Sequence, residues 1–236
     1  MRLPYEVDAD DPSAPPLGLI VLQTDETIEP EFARYFADHP SPLYVSRVPS
    51  GLEVTTHTLS DMADELTRAA SLLPGPRDYA VVGYGCTSGS AVIGAAEVER
   101  LVKAGCRAKA VTNPLTAAVA ACRDKGISRL ALLSPYIEDV NIPLIEAFAT
   151  EGIEFAAVAT FDEAVEERVV RISHRSVVEA ACKVGADKGI EGVFMSCTNL
   201  RTYDAIGEVG ARLGRPALSS NQALAWHMSK LAELGR

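Results

Sequence analysis

Positive charge is scarce in this chain: Lys and Arg total 22 against 32 Asp and Glu, a formal net charge of −10. An acidic surface repels phosphate backbones and anionic headgroups, so nucleic acid and membranes are not expected as partners. Long apolar runs are missing too. No window holds the roughly 18 uninterrupted apolar residues of a membrane span. The opening MRLPYEVDADDPSAPP has acids and prolines where a secretory leader is basic and then apolar, which points to the cytoplasm. Histidine is rare: His39, His57, His174 and His227 are scattered, with none at ligand spacing from a cysteine, so no metal is expected. The 5 cysteines are an odd number in a chain long enough to bury its own core, which argues against a disulfide framework and for free thiols.

What is present is an ordinary globular balance, 47% hydrophobic and 23% charged. Residues 1–16, rich in proline and acid, read as a flexible lead-in. Short apolar runs then alternate with longer amphipathic stretches. LGLIVL (17–22), LYVSRV (43–48), YAVVGY (79–84) and AKAVT (108–112) predict four strands. RLALLS (129–134), IEFAAVAT (153–160), GVFMSC (192–197) and PALS (216–219) predict four more. Helical patterns lie between them, among them one continuous helix over 88–105 and one that starts at Asn113-Pro114. Strands alternating with helices build parallel sheets. The segments YAVVGYGCT and GVFMSCT repeat a strand, cysteine, threonine order 111 residues apart (197 − 86). The expected architecture is α/β: two pseudo-symmetric, doubly wound domains with four-stranded parallel sheets and a cleft between them. The first domain is expected over 17–112 and the second over 113–218, with the last helix, 219–236, returning to pack on the first.

Cys86 falls where a strand meets a helix, and Cys197 before the helix expected near Tyr203. A helix N-terminus lowers a thiol pKa, so both are expected to be thiolates near neutral pH. Facing each other across a cleft, one removes a proton from a substrate carbon and the other returns one to the opposite face, which inverts a stereocentre. Charge then develops on a carboxylate, and Thr87, Ser88 and Thr198 offer donors for it. Cys106, Cys122 and Cys182 read as packing residues. Gly83, Gly85 and Gly89 form a loose glycine-loop match that lacks the following acid of a dinucleotide site. The acids from Asp162 to Glu167 read as a solvated helix start, and Trp226 as a packing residue.

The two cysteine segments, with Ser134-Pro135-Tyr136-Ile137-Glu138-Asp139-Val140-Asn141 between them, resemble the aspartate/glutamate racemase superfamily, in its maleate isomerase and arylmalonate decarboxylase branch. The resemblance implies cofactor-independent chemistry, with Cys86 and Cys197 as catalytic thiols and Thr87, Ser88 and Tyr136 as the cradle of a substrate carboxylate. It also implies a homo-oligomer acting on a small carboxylate. Decarboxylases of the branch resemble this pattern but carry glycine at the first cysteine, so Cys86 argues against decarboxylation. Maleate isomerases have an asparagine after the first strand where this chain has Asp25. An anion there repels a diacid and attracts an ammonium group, as the acid of amino-acid racemases does, although Asp25 also reads as a helix cap. Gln23-Thr24-Asp25-Glu26-Thr27 further resembles racemase-like members tied to ectoine breakdown. The expected function is therefore a racemase or epimerase of an amino acid or related carboxylic acid. A maleate-type isomerase forming a Cys86 adduct, an arylmalonate-type decarboxylase and a non-catalytic binder stand as alternatives.

Overall fold

The computed structural model describes residues 1–9 and 11–234. Its first sheet contains β1 (Leu17–Leu22), β2 (Leu43–Val48), β3 (Tyr79–Gly85) and β4 (Ala108–Thr112), all parallel, in the order β2-β1-β3-β4. The second repeats that order as β6-β5-β7-β8, from β5 (Arg129–Ser134), β6 (Glu154–Thr160), β7 (Gly192–Met195) and β8 (Ala217–Ser219). Central strands bury both faces, which is why β1 is apolar at nearly every position and all six of its residues are buried. The outer strands β2 and β6 are only partly covered and tolerate Arg47, Glu154 and Thr160.

In each sheet the chain leaves the first strand for one side and returns to build the other. Two neighbouring strands thus have carboxyl ends from which the chain departs in opposite directions. That point opens a crevice for a ligand. It lies between β1 and β3 in one sheet and between β5 and β7 in the other.

Ten helices cover the sheets among the described residues: α1 (Ile28–Tyr35), α2 (Thr56–Ser71), α3 (Thr87–Ile93), α4 (Ala95–Gly105), α5 (Pro114–Lys125), α6 (Glu138–Thr150), α7 (Glu166–Val169), α8 (His174–Val184), α9 (Tyr203–Leu213) and α10 (Ser220–Leu231). The single helix expected over 88–105 is two, because Gly94 adopts φ +91, a left-handed backbone that breaks the helix. Asn113 caps α5 through Thr116 N, with Pro114 in the first turn. α5 packs Leu115, Ala118 and Cys122 against Leu130, Leu132 and Phe194 of the second sheet. α10 starts from β8 and crosses back, packing Leu224, Ala225 and Met228 against Leu17, Leu19 and Val81 of the first sheet. Residues 235 and 236 of the expected terminal helix, and residue 10 of the lead-in, lie outside the described residues. No helix among the described residues is long and apolar enough to cross a membrane.

Candidate active site

The two crevices face each other and merge into one cavity. After β1 comes Asp25 and after β3 Cys86; after β5 comes Tyr136 and after β7 Cys197. All four line the cavity, together with Thr87, Ser88 and Thr198, so the seven residues singled out in the sequence meet in one place. Thr198 Oγ1 donates to Gly85 O across the two halves (3.2 Å), and Thr87 Oγ1 lies 2.7 Å from Ser220 Oγ. Both hydroxyls are therefore partly engaged in holding the halves together. Free space is small, about 20 Å³, little more than one water occupies.

One wall joins the halves. The loop after β2 and the segment before α7 pair through Val54 N to Ala164 O (2.9 Å) and Glu166 N to Leu52 O (3.2 Å), with an antiparallel bridge between Glu53 and Val165.

Cys86 is the N-cap residue of α3, and its Sγ accepts from Gly89 N at 3.2 Å. Burial nevertheless pushes its pKa up to about 12, outweighing that amide, and the nearby Glu166 charge pushes the same way. Cys197 is not at a helix start. α9 begins at Tyr203, and Cys197 occupies a loop with φ +98, a conformation costly for a side-chain-bearing residue and typical of functional sites. Its amide donates to Ser220 Oγ at 3.0 Å, and its Sγ receives Asn199 N at 3.3 Å and lies 2.9 Å from Tyr136 Oη. Burial and then Glu166 hold this thiol well above its ordinary range. The expected resting thiolates are thus corrected: burial raises both thiol pKa values, at Cys86 against the amide of a helix start and at Cys197 against Tyr136 and the Asn199 amide. All five cysteines are free.

Asp25 is 3% exposed and divides its work. Its Oδ1 accepts from Thr27 N and Ile28 N, both at 2.8 Å, and so caps α1; its buried Oδ2 has no partner among the described residues. Burial raises its pKa against the two amides, the nearby Thr198 hydroxyl and the charge of Arg47. Arg47 steadies this loop from outside by donating to the carbonyls of Leu22, Gln23 and Asp25. None of the side chains lining the cavity is Lys or Arg.

The solvated helix start expected over Asp162 to Glu167 needs correction. Glu163 does pair with Arg168 at the surface, but Glu166 turns inward, is 3% exposed and lines the cavity. Its Oε1 accepts from Tyr136 Oη (2.6 Å) and its Oε2 from Asn199 Nδ2 (2.8 Å). Asn199 is a second residue the sequence reading missed; its Oδ1 also accepts from Glu26 N at 3.0 Å, tying the Cys197 loop to the Asp25 loop. Its position two residues after Cys197 was a signal that could have marked it. Met62 and Tyr84 back the Cys86 side, with Tyr84 Oη 3.7 Å from Met62 Sδ.

The glycines at the end of β3 and in α3 serve packing. Gly83 and Gly85 admit Met228 and Ile28, while a Cβ on Gly89 would stand 2.8 Å from Cys86 Sγ and from Tyr84 Oη. Gly89→Ala therefore forces the Cys86 sulfur out of place, and turnover is expected to fall roughly 10²-fold with a native circular dichroism spectrum. Turnover at the wild-type rate would show that the sulfur's position is not critical. Cys122 packs in the second core, Trp226 packs against it, and Cys106 and Cys182 pack against the largest cluster. Among the described residues no three His, Cys, Asp or Glu side chains gather as metal ligands.

Two four-stranded parallel sheets that face each other give the two-domain fold shared by arylmalonate decarboxylase and maleate isomerase. The chain belongs to the arylmalonate decarboxylase family, whose sequence profile matches residues 17–236. It is 30% identical over 227 residues to the arylmalonate decarboxylase of Bordetella bronchiseptica, covering 93% of this chain and 91% of that protein. A liganded double mutant of arylmalonate decarboxylase, glycine to cysteine and cysteine to serine, superposes with a TM-score of 0.84 at 27% identity, covering 94% of both chains. The maleate cis-trans isomerase of Nocardia farcinica, as a serine mutant with a covalently bound succinylcysteine intermediate, gives a TM-score of 0.84 at 20% identity and covers 93% of both chains. These relatives are enzymes, one a lyase and the other an isomerase.

Proposed function

We propose that the protein is a racemase or epimerase of an amino acid or related carboxylic acid, in which Cys86 and Cys197 exchange protons with opposite faces of one carbon. The observation that carries this reading is the buried, unpartnered Oδ2 of Asp25 in a cavity that also holds two free thiols and no basic side chain. A bare carboxylate oxygen in such a cavity calls for a cation, and an α-ammonium group supplies one. Thr87, Ser88 and Thr198 then take the substrate carboxylate, where charge develops as the α-proton leaves, while Tyr136, expected there too, spends its one proton on Glu166. Each thiol must reach the thiolate only as it acts, since burial opposes a standing charge. On this reading the substrate needs no cofactor and meets the enzyme in the cytoplasm.

A second reading is cis-trans isomerisation of an unsaturated diacid, by addition of Cys86 to the double bond and protonation by Cys197. The succinylcysteine of the Nocardia farcinica relative favours it. The raised pKa of Asp25 and of Glu166, both set by burial, also softens their repulsion of a diacid.

Proton NMR in heavy water separates the two. Aspartate, glutamate, diaminobutyrate derivatives, maleate and an arylmalonate are each incubated with the protein. Loss of an α-proton signal with racemisation is the expected result. Silence on every amino acid, with conversion of maleate or of the malonate, would overturn the role given to Asp25.

A further inference from the structure

The two thiols have unequal surroundings. Around Cys86 stand a backbone amide, the Tyr84 phenol and Met62. Cys197 instead begins a chain of short contacts: Sγ to Tyr136 Oη at 2.9 Å, then Tyr136 Oη to Glu166 Oε1 at 2.6 Å. Every member is buried, and Asn199 Nδ2 holds the far oxygen of Glu166 at 2.8 Å. Tyr136 has one hydroxyl proton. When it donates to the carboxylate, its oxygen is left to accept from the thiol, so the chain reads S–H to O–H to carboxylate in one direction.

From this geometry we infer that Glu166 is the proton acceptor for Cys197, reached through the hydroxyl of Tyr136. The S–H bond of Cys197 breaks and its proton passes to Tyr136 Oη, while the proton of Tyr136 passes to Glu166 Oε1. No electrons are exchanged and the net charge of the cavity is unchanged. The physical advantage is that a charge already buried moves from carboxylate to sulfur, whereas losing the proton to water would add a second buried anion beside the first. Glu166 acts through Tyr136 and is a positioning residue. Burial raises the pKa of Glu166 and of Cys197 alike.

The groups facing this carboxylate are few. Tyr136 arrives after β5, Cys197 and Asn199 after β7, Asp25 after β1 and Cys86 after β3. On its own segment Glu163 is paired with Arg168 at the surface. No cation neutralises Glu166 within the cavity lining.

The inference concerns the site proposed above and rests on that reading for its place in turnover, but its test needs no substrate, so the two fail separately. While Cys197 and Glu166 share one proton, the fraction of Cys197 present as thiolate is independent of pH. The alkylation rate of Cys197 by iodoacetamide, resolved by site with mass spectrometry and with Cys86 as the reference in the same cavity, is expected to be flat from weakly acid pH through neutrality. In Glu166→Gln, which keeps the size and an acceptor for Tyr136 but loses the one for Asn199 Nδ2, the thiol must lose its proton to solvent, and the rate is expected to climb about tenfold per pH unit. Glu166→Asp restores the carboxylate and is expected to restore the flat profile. Tyr136→Phe is expected to lower the plateau without tilting it. Thiolate ultraviolet absorbance in a Cys86→Ser background reads the same pH dependence without reagent entry. A tilted wild-type profile, or identical profiles for wild type and Glu166→Gln, overturns the inference.

Discussion

Replacing either active-site cysteine with serine is expected to abolish interconversion of enantiomers by about 10³-fold while leaving half of the proton chemistry in place. Cys86 reaches the cavity from the carboxyl end of β3, and Cys197 from that of β7, on the facing sheet. A substrate held between them offers one face to each. With Cys197→Ser the α-proton can still leave toward Cys86 and return from it, so one enantiomer exchanges with heavy water without racemising. With Cys86→Ser the other enantiomer does so. The check is proton NMR combined with chiral chromatography for each variant on each pure enantiomer. Opposite enantiomer preferences are the two-base signature; a variant that still racemises within tenfold of wild type sinks the mechanism. The pH dependence of exchange is expected to differ as well, because Cys197 has Tyr136 in contact, backed by Glu166, whereas Cys86 is in contact with the Gly89 amide and Tyr84 and feels Glu166 only through its charge.

Asp25→Asn is expected to move activity and stability in opposite directions. The Asn Oδ1 can keep the cap on α1, but the bare oxygen facing the cavity becomes an amide donor. Losing the charge partner of an ammonium group costs on the order of 10²-fold in kcat/KM, mostly through KM. The same donor suits a second carboxylate, so any activity on maleate should rise. Stability follows from the raised pKa. An unfolded Asp gives up its proton near pH 3.9; the folded one, desolvated, holds it to higher pH. Its favourable contribution is complete below the unfolded value and is lost as pH climbs through the folded one, so above that folded value the wild type carries a buried charge that the Asn variant lacks. Calorimetry should find the variant melting about 3 °C higher at pH 8, a chain of this size gaining roughly 2–4 °C per kcal/mol, with the difference gone near pH 4. A lower melting point at pH 8 would mean that the carboxylate is satisfied in solution.

The strands were legible because each central one carries its own signal, a short apolar run closed by a small or polar residue, and the two cysteines follow from those boundaries. Local chemistry also announced the Asn113-Pro114 start. The break at Gly94 was hidden because the apolar spacing of α3 continues into α4 across it. Glu166 was hidden for a deeper reason. In sequence it sits within an acidic run that looks like any exposed helix start, and only the pairing of its segment with the loop after β2 turns it inward. The thiol states were misjudged because a helix end is visible in sequence and desolvation is not. The pattern places Cys86 beside donors, but says nothing of the Met62 and Tyr84 side chains that exclude water from it.

That same pairing between the halves has a consequence for the order of events. The bridge runs through the backbone of Glu166, whose amide donates to Leu52 O. On the inferred proton chain, any movement that parts these two segments to admit a reactant also loosens the carboxylate behind Tyr136, so opening the cavity and deprotonating Cys197 oppose one another.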